Sequence, residues 1–113
     1  MIVYIFTYFA MDSFEKPNAD SYTIYAKHGC TFCIKAKILL SNVSPPPKII
    51  DCDEYIETNR EQFLEFMKEL AGKDYRTFPM IFHNAKFVGG FTETKEYHDK
   101  LTAFNYMDDF ATF

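Results

Sequence analysis

At 113 residues the chain is sized for one domain, and its 48% of hydrophobic residues can build a proper core. Charged residues make up 25% and the formal net charge is −4, so nothing global argues for nucleic acid or an anionic membrane as a partner. Three cysteines, two of them spaced C-x-x-C, exclude the disulfide framework of a secreted mini-protein and read instead as a redox pair plus one free thiol in a reducing compartment, with the cytoplasm as default.

Met1 to Met11 is almost wholly apolar. It has the length of a signal-peptide core, yet no basic residue precedes it and no small-x-small cleavage site follows, and it is too short to cross a bilayer. Its content of Ile, Val, Tyr, Phe and Thr reads better as a strand, with a disordered or a targeting segment left open. Ser13 to Asp20, with Pro17, Asn18 and Asp20, is a linker. Tyr22 to Ala26 is a short buried strand, and Lys27-His28-Gly29 is the loop after it.

From Thr31 to Asn42 the pattern is helical, with Cys33, Ala36 and Leu40 on one face and Ile34 and Ile38 on another. Pro45-Pro46-Pro47 must end it. Lys48 to Cys52 is a second strand. Thr58-Asn59-Arg60-Glu61 is a capping box opening a helix with Phe63, Phe66, Met67 and Leu70 on its apolar face and Gly72 at its stop. Pro79–Phe82 and Ala85–Val88 flank His83-Asn84 as a hairpin. Thr92 caps a last helix carrying Tyr97, Leu101 and Phe104 at i, i+4, i+7, and the rest is an acidic aromatic tail without period. The expected organisation is an extension and linker over 1–21, a folded domain over 22–104 and a tail over 105–113. The order strand, helix, strand, helix, strand, strand, helix implies an α/β fold, with parallel right-handed crossovers closed by an antiparallel hairpin in a mixed sheet.

The C-x-x-C falls at a strand-to-helix junction. Cys30 lies at or just before the first helical turn, where free N–H groups and the helix dipole favour an anion, and Lys27 adds positive charge. Both effects are expected to lower the thiol pKa. Cys33, one turn in, is near enough to bridge to Cys30 but more buried, so Cys30 attacks and Cys33 resolves. A zinc site commonly needs four ligands, and only Cys52, His28, His83 and His98 remain, at no zinc-like spacing; no metal site is expected. Cys52 reads as a small buried hydrophobe.

The sequence resembles the dithiol glutaredoxins over about residues 22–103. Three motifs carry the resemblance, in this order and at these separations: Lys27-x-x-Cys30-Thr31-Phe32-Cys33 with Ala36-Lys37 behind it, then Arg76-Thr77-Phe78-Pro79, then Gly89-Gly90-Phe91-Thr92-Glu93. The resemblance implies a thioredoxin-like fold with a central mixed four-stranded sheet flanked by helices. It also implies an enzyme that reduces protein–glutathione mixed disulfides and protein disulfides. Glutathione would be co-substrate and reductant, with no tightly bound cofactor.

Residue by residue, the resemblance makes Cys30 the nucleophile and Cys33 the resolving thiol. Pro79 is the cis-proline that faces the active cysteine, and Phe78 offers its backbone to glutathione as an added strand would. Thr77 lies in the same glutathione-binding run. Lys27 and Arg76 stand where basic residues meet the glycine carboxylate of glutathione. Gly90, with Gly89, lets the backbone come close, and Thr92 and Glu93 hold the γ-glutamyl end at a helix N-terminus.

The sequence departs from the family at Thr31, where many members have proline, at Phe32 for tyrosine, at Phe78 for valine and at Glu93 for aspartate. Members lacking that proline include dimers that hold a [2Fe–2S] cluster through the first cysteine and glutathione, so cluster binding is the alternative function. The expected partners are glutathione and glutathionylated or disulfide-containing proteins. No nucleic acid or membrane is expected, and the chain is taken as a monomer.

Overall fold

A computed structural model describes residues 14–111 of the chain, with side chains through Ala103. The expected strand over Met1–Met11 lies outside the described residues. Four strands, β1 (Tyr22–Ala26), β2 (Lys48–Asp51), β3 (Met80–His83) and β4 (Lys86–Gly89), and three helices, α1 (Thr31–Leu39), α2 (Asp53–Ala71) and α3 (Phe91–Ala111), follow the expected order. The sheet runs β2-β1-β3-β4, with β1 and β2 parallel and the other two pairs antiparallel. This is the thioredoxin-like arrangement.

β1 is central, and all five of its residues are buried because both faces are covered. Alternation splits its side chains between two cores. Tyr22, Ile24 and Ala26 meet Cys33 and Ala36 of α1, Leu40 just past its end, and Ile81 of β3. Tyr25 faces the other way, into a core with Ile50, Met80, Phe82 and, from α2, Phe63, Leu64, Phe66 and Met67. Phe14, in the irregular stretch before β1, is buried in that second core, edge-on to Phe63 at 5.6 Å. Its apolar area anchors this stretch to the domain.

Several boundaries differ from the sequence reading for local reasons. α1 stops at Leu39, because the Ser41 N–H and hydroxyl both donate to the Ile38 carbonyl and tighten the last turn. α2 starts at Asp53, ahead of the expected capping box, with Asp53 and Glu54 placed favourably at the positive end of its dipole. The Thr58–Glu61 motif instead marks a break inside it: Asn59 leaves helical geometry (φ −140°, ψ 44°), and the Thr58 hydroxyl donates back to the Glu54 carbonyl at 2.8 Å. Gly72 ends α2 in the left-handed conformation, as expected.

The hairpin turn sits one residue later than expected, on Asn84 and Ala85, both with positive φ (53° and 68°) as a tight two-residue turn requires. Helix α3 starts at Phe91, so Thr92 lies inside its first turn and does not cap it. The helix runs on to Ala111, through most of the segment read as an aperiodic tail.

Candidate active site

Topology gathers the three motifs at one end of the sheet. β1 ends at Ala26 just before the Lys27–Cys30 loop. In the antiparallel register Tyr25 pairs with Met80, so Phe78 and Pro79 lie at that same end. Ile81 pairs with Gly89, so the close of β4 and the start of α3 come there too.

Cys30 is the N-cap of α1. Its backbone is extended (φ −111°, ψ 106°), and its sulfur accepts a hydrogen bond from the Cys33 N–H at 3.2 Å. An N-cap side chain meets the unpaired N–H groups of the first turn, and those groups together with the helix dipole stabilise negative charge there. Gly29 turns the chain into this position with φ 68°. Cys30 and Cys33 are joined in a disulfide with their Cα atoms 5.2 Å apart. The two ends of the bond differ: Cys30 is half-buried, while Cys33 is 1% exposed in the core beneath α1. An incoming sulfur therefore has access to Cys30 alone.

Phe78–Pro79 is a cis peptide bond, as expected, and Pro79 is buried. Ser44–Pro45 is also cis. The Phe78 ring packs against both cores, stacked on Phe63 at 6.1 Å with the planes 4° apart. Lys27 Nζ stands 5.7 Å from the centroid of that ring. Thr77 and Arg76 are exposed, and Arg76 Nε donates to both oxygens of Asp74 at 3.1 and 3.2 Å, an exposed pair of small energetic weight.

Gly90 stands immediately before the first residue of α3, and Glu93 reaches back so that its Oε1 accepts the Gly90 N–H at 2.7 Å, the carboxylate half of a capping box. Thr92 is exposed at the second helical position. Cys52 plays no part. It is buried at the start of α2, its thiol donates to the Ile50 carbonyl at 3.6 Å, and burial first, then the Asp51 carboxylate, push its pKa up to about 12.

The family model for glutaredoxin matches residues 22–88, more than half of the chain. The chain belongs to the glutaredoxin family. Among the curated relatives, mitochondrial glutaredoxin-2 of Bos taurus is 34% identical over 86 residues, 74% of this chain and 51% of its own length. Monothiol glutaredoxin-S10 of Oryza sativa subsp. japonica is 29% identical over 90 residues, 79% of this chain and 53% of its own length. The chain spans about half the length of these relatives. Among solved structures, glutaredoxin 1 from Francisella tularensis superposes with a TM-score of 0.62 at 28% identity, over 73% of this chain and 95% of that one. The holo form of glutaredoxin C1 from Populus tremula x tremuloides gives 0.66 at 21% identity, over 95% and 94%.

Two aromatic residues to which the sequence assigns no role, Tyr75 and Phe91, pack around the glutaredoxin motifs. Tyr75 puts its hydroxyl against Gly90: a Cβ added there would lie 2.8 Å from it. Gly90 is therefore a glycine because Tyr75 and Glu93 leave no room for a side chain, a reason invisible from a Gly-Gly pair alone. The Phe91 ring centroid lies 6.0 Å from that of Phe32, and Phe91 packs on the same core as Cys30. Nothing local marks either residue as part of the site, since both positions are defined by contacts across the fold.

Proposed function

We propose that the protein is a glutathione-dependent thiol–disulfide oxidoreductase. The observation that carries this reading is the asymmetry of the Cys30–Cys33 pair, one sulfur accessible at a helix N-terminus and the other closed off in the core. In the reduced protein the Cys30 thiolate attacks the glutathione sulfur of a protein–glutathione mixed disulfide. The substrate sulfur leaves as thiolate and takes up a proton, and glutathione is left on Cys30. A second glutathione thiolate attacks the glutathione sulfur of that adduct, releasing oxidised glutathione and the Cys30 thiolate. With a protein disulfide, Cys30 forms the mixed disulfide and Cys33 displaces the substrate thiol. The product is the Cys30–Cys33 disulfide, which two glutathione molecules reduce.

The other residues support a glutathione subsite. Lys27 and Arg76 supply positive charge for the glycine carboxylate, Arg76 by leaving Asp74. The Phe78 backbone and Thr77 line the approach beside Pro79. Gly90 and the first turn of α3 at Thr92 present a helix N-terminus to the γ-glutamyl carboxylate. Glu93 Oε1 is occupied by Gly90, so Oε2 is the atom left for the γ-glutamyl ammonium. The substrates are glutathionylated or disulfide-bonded proteins, and the chemistry suits a reducing compartment such as the cytoplasm.

Turnover of a small glutathione mixed disulfide, coupled to glutathione reductase and NADPH oxidation, tests this directly. Wild type is active and Cys30→Ser is not. Cys33→Ser keeps glutathione removal, which needs one thiol, and loses reduction of protein disulfides. Equal loss in both variants sinks the one-thiol assignment.

A further inference from the structure

Five large apolar side chains are exposed among the described residues, and three of them are isoleucines: Ile34 (56% exposed) and Ile38 (67%) on α1 and Ile49 (50%) on β2. Ile34 and Ile38 are one turn apart on α1, and Lys37 lies on the same side of the helix. Lys37 and Ile49 both line a hollow of about 130 Å³ between α1 and β2, with Lys27, His28, Asp51 and Asp53. Cys30 caps the same helix, its carbonyl accepting the Ile34 N–H at 3.2 Å in the first turn.

The hollow's charges are not equivalent. Both carboxylates are already engaged by backbone donors: Asp53 Oδ1 accepts the His28 N–H at 2.8 Å and Asp51 Oδ1 the Asp53 N–H at 3.0 Å. None of the four ion pairs among the described residues involves Lys27 or Lys37. α1 carries two lysines and no acid. In a chain of net charge −4, exposed isoleucines beside lysines and no acid, on the helix that Cys30 caps, are a local exception.

We propose that this α1–β2 face docks the polypeptide part of the substrate, and that it selects segments with an apolar residue and acidic residues flanking the modified cysteine. This rests on the reading of Cys30 as nucleophile and adds the substrate class. The isoleucines supply apolar area that pairs with the substrate's apolar side chain. Lys37 supplies charge complementarity, which acts chiefly on encounter and choice of partner. A small glutathione mixed disulfide, lacking such a segment, bypasses the face.

The experiment compares kcat/KM on three substrates: a small glutathione mixed disulfide, a glutathionylated peptide with Leu and Glu flanking its cysteine, and the same peptide with Ser and Lys there. Wild type prefers the Leu/Glu peptide. Ile34→Ser with Ile38→Ser lowers kcat/KM for that peptide about tenfold, the loss of one good apolar contact, and leaves the small substrate within about twofold. Lys37→Glu, which keeps the apolar rim, reverses the preference between the peptides, and the reversal shrinks at high salt. Equal loss on small and peptide substrates, or no loss on either, overturns the docking face. Inactivity of wild type on the small substrate is a failure of the glutathione reading. Docking is then read by fluorescence anisotropy of the labelled, unmodified Leu/Glu peptide, where weaker binding to the isoleucine variant sustains the proposal and unchanged binding overturns it.

Discussion

The two ends of the central sheet are finished in opposite ways. At the end where β1 stops, Cys30 is half-buried and Lys27, Thr31, Thr77 and Thr92 are exposed, with polar groups turned outward. At the other end the polar groups close on one another. The Tyr22 hydroxyl and His98 Nδ1 share a hydrogen bond of 3.0 Å, His83 Nδ1 and the Tyr97 hydroxyl one of 2.6 Å, and the Tyr22 ring stacks on His83 at 4.2 Å. Helix α3 spans both, with its first turn at the reactive site and its second turn holding Tyr97 and His98. A helix fixed at one end by aromatic packing can present an unsaturated N-terminus at the other without drifting from the sheet.

That division breaks most visibly at Tyr22. Tyr22→Ala removes a fully buried ring that touches β3 and α3 at once, and large aromatic truncations of this kind cost about 3–5 kcal/mol. Urea unfolding measures the loss, and at temperatures where the variant stays folded its turnover remains near wild type. A turnover loss as large as that of a Cys30 variant would mean the far end does more than anchor α3.

The reverse case is Gly89, at the reactive end. Its φ is 138°, and an added Cβ would lie 2.8 Å from Glu93 Cβ. Gly89→Ala therefore combines backbone strain, on the order of 1–3 kcal/mol, with displacement of the side chain that caps α3. The expected result is a moderate loss of stability together with a rise in KM for glutathione. A stability loss with unchanged KM would detach the α3 cap from ligand binding.

Between the two ends lies Thr94, fully buried, whose hydroxyl finds no partner among the described residues. Desolvating such a group without a hydrogen bond costs about 1–3 kcal/mol, so the nearly isosteric Thr94→Val is expected to raise the stability of the disulfide form by about 1 kcal/mol in denaturant titration. A decrease would show that the hydroxyl is paired in solution.

The reactive end was the more legible in sequence because its chemistry is written in consecutive residues. Cys30-x-x-Cys33, Phe78-Pro79 and Gly89-Gly90 each fix a local conformation or reactivity, and the strand order alone brings them together. Where the signal was local but ambiguous, the reading slipped. Thr92 has the residue type of a cap, but Glu93, three residues after Gly90, is the better clue. Ala85 gives no hint of left-handed geometry. The first turns of α2 are hard to see in the sequence because Asp53–Thr58 shows no apolar period, yet Asp53 and Glu54 carry the acidic signature of a helix start. The far end was invisible: Tyr22 and His98 are 76 residues apart, and only the register of β1 against β3, with α3 laid across them, makes them neighbours.

The smallest expected effect is one of pH, and it is specific to the closed end. Burial first, and then the nearby His98, lower the pKa of His83 below that of a free histidine. Tyr22 and Tyr97 also face it, and burial first, then Tyr97, pushes the Tyr22 pKa up to about 12, so the Tyr22 phenol supplies no negative charge near neutrality to favour an imidazolium at His83. As pH falls through the ordinary histidine range near 6.5, the unfolded chain takes up a proton that the folded protein resists. The unfolded state then binds more protons, and folding stability declines with acidification until pH drops below the lowered folded value, after which this contribution is flat. Because His83 is only half-buried, solvent weakens the effect. Urea titrations between pH 7.5 and 5 should show a shallower decline for His83→Gln than for wild type, with turnover at pH 7.5 unchanged. Identical slopes would mean that His83 takes up its proton as readily in the folded protein as in the unfolded chain, and that its burial against Tyr22 is looser in solution.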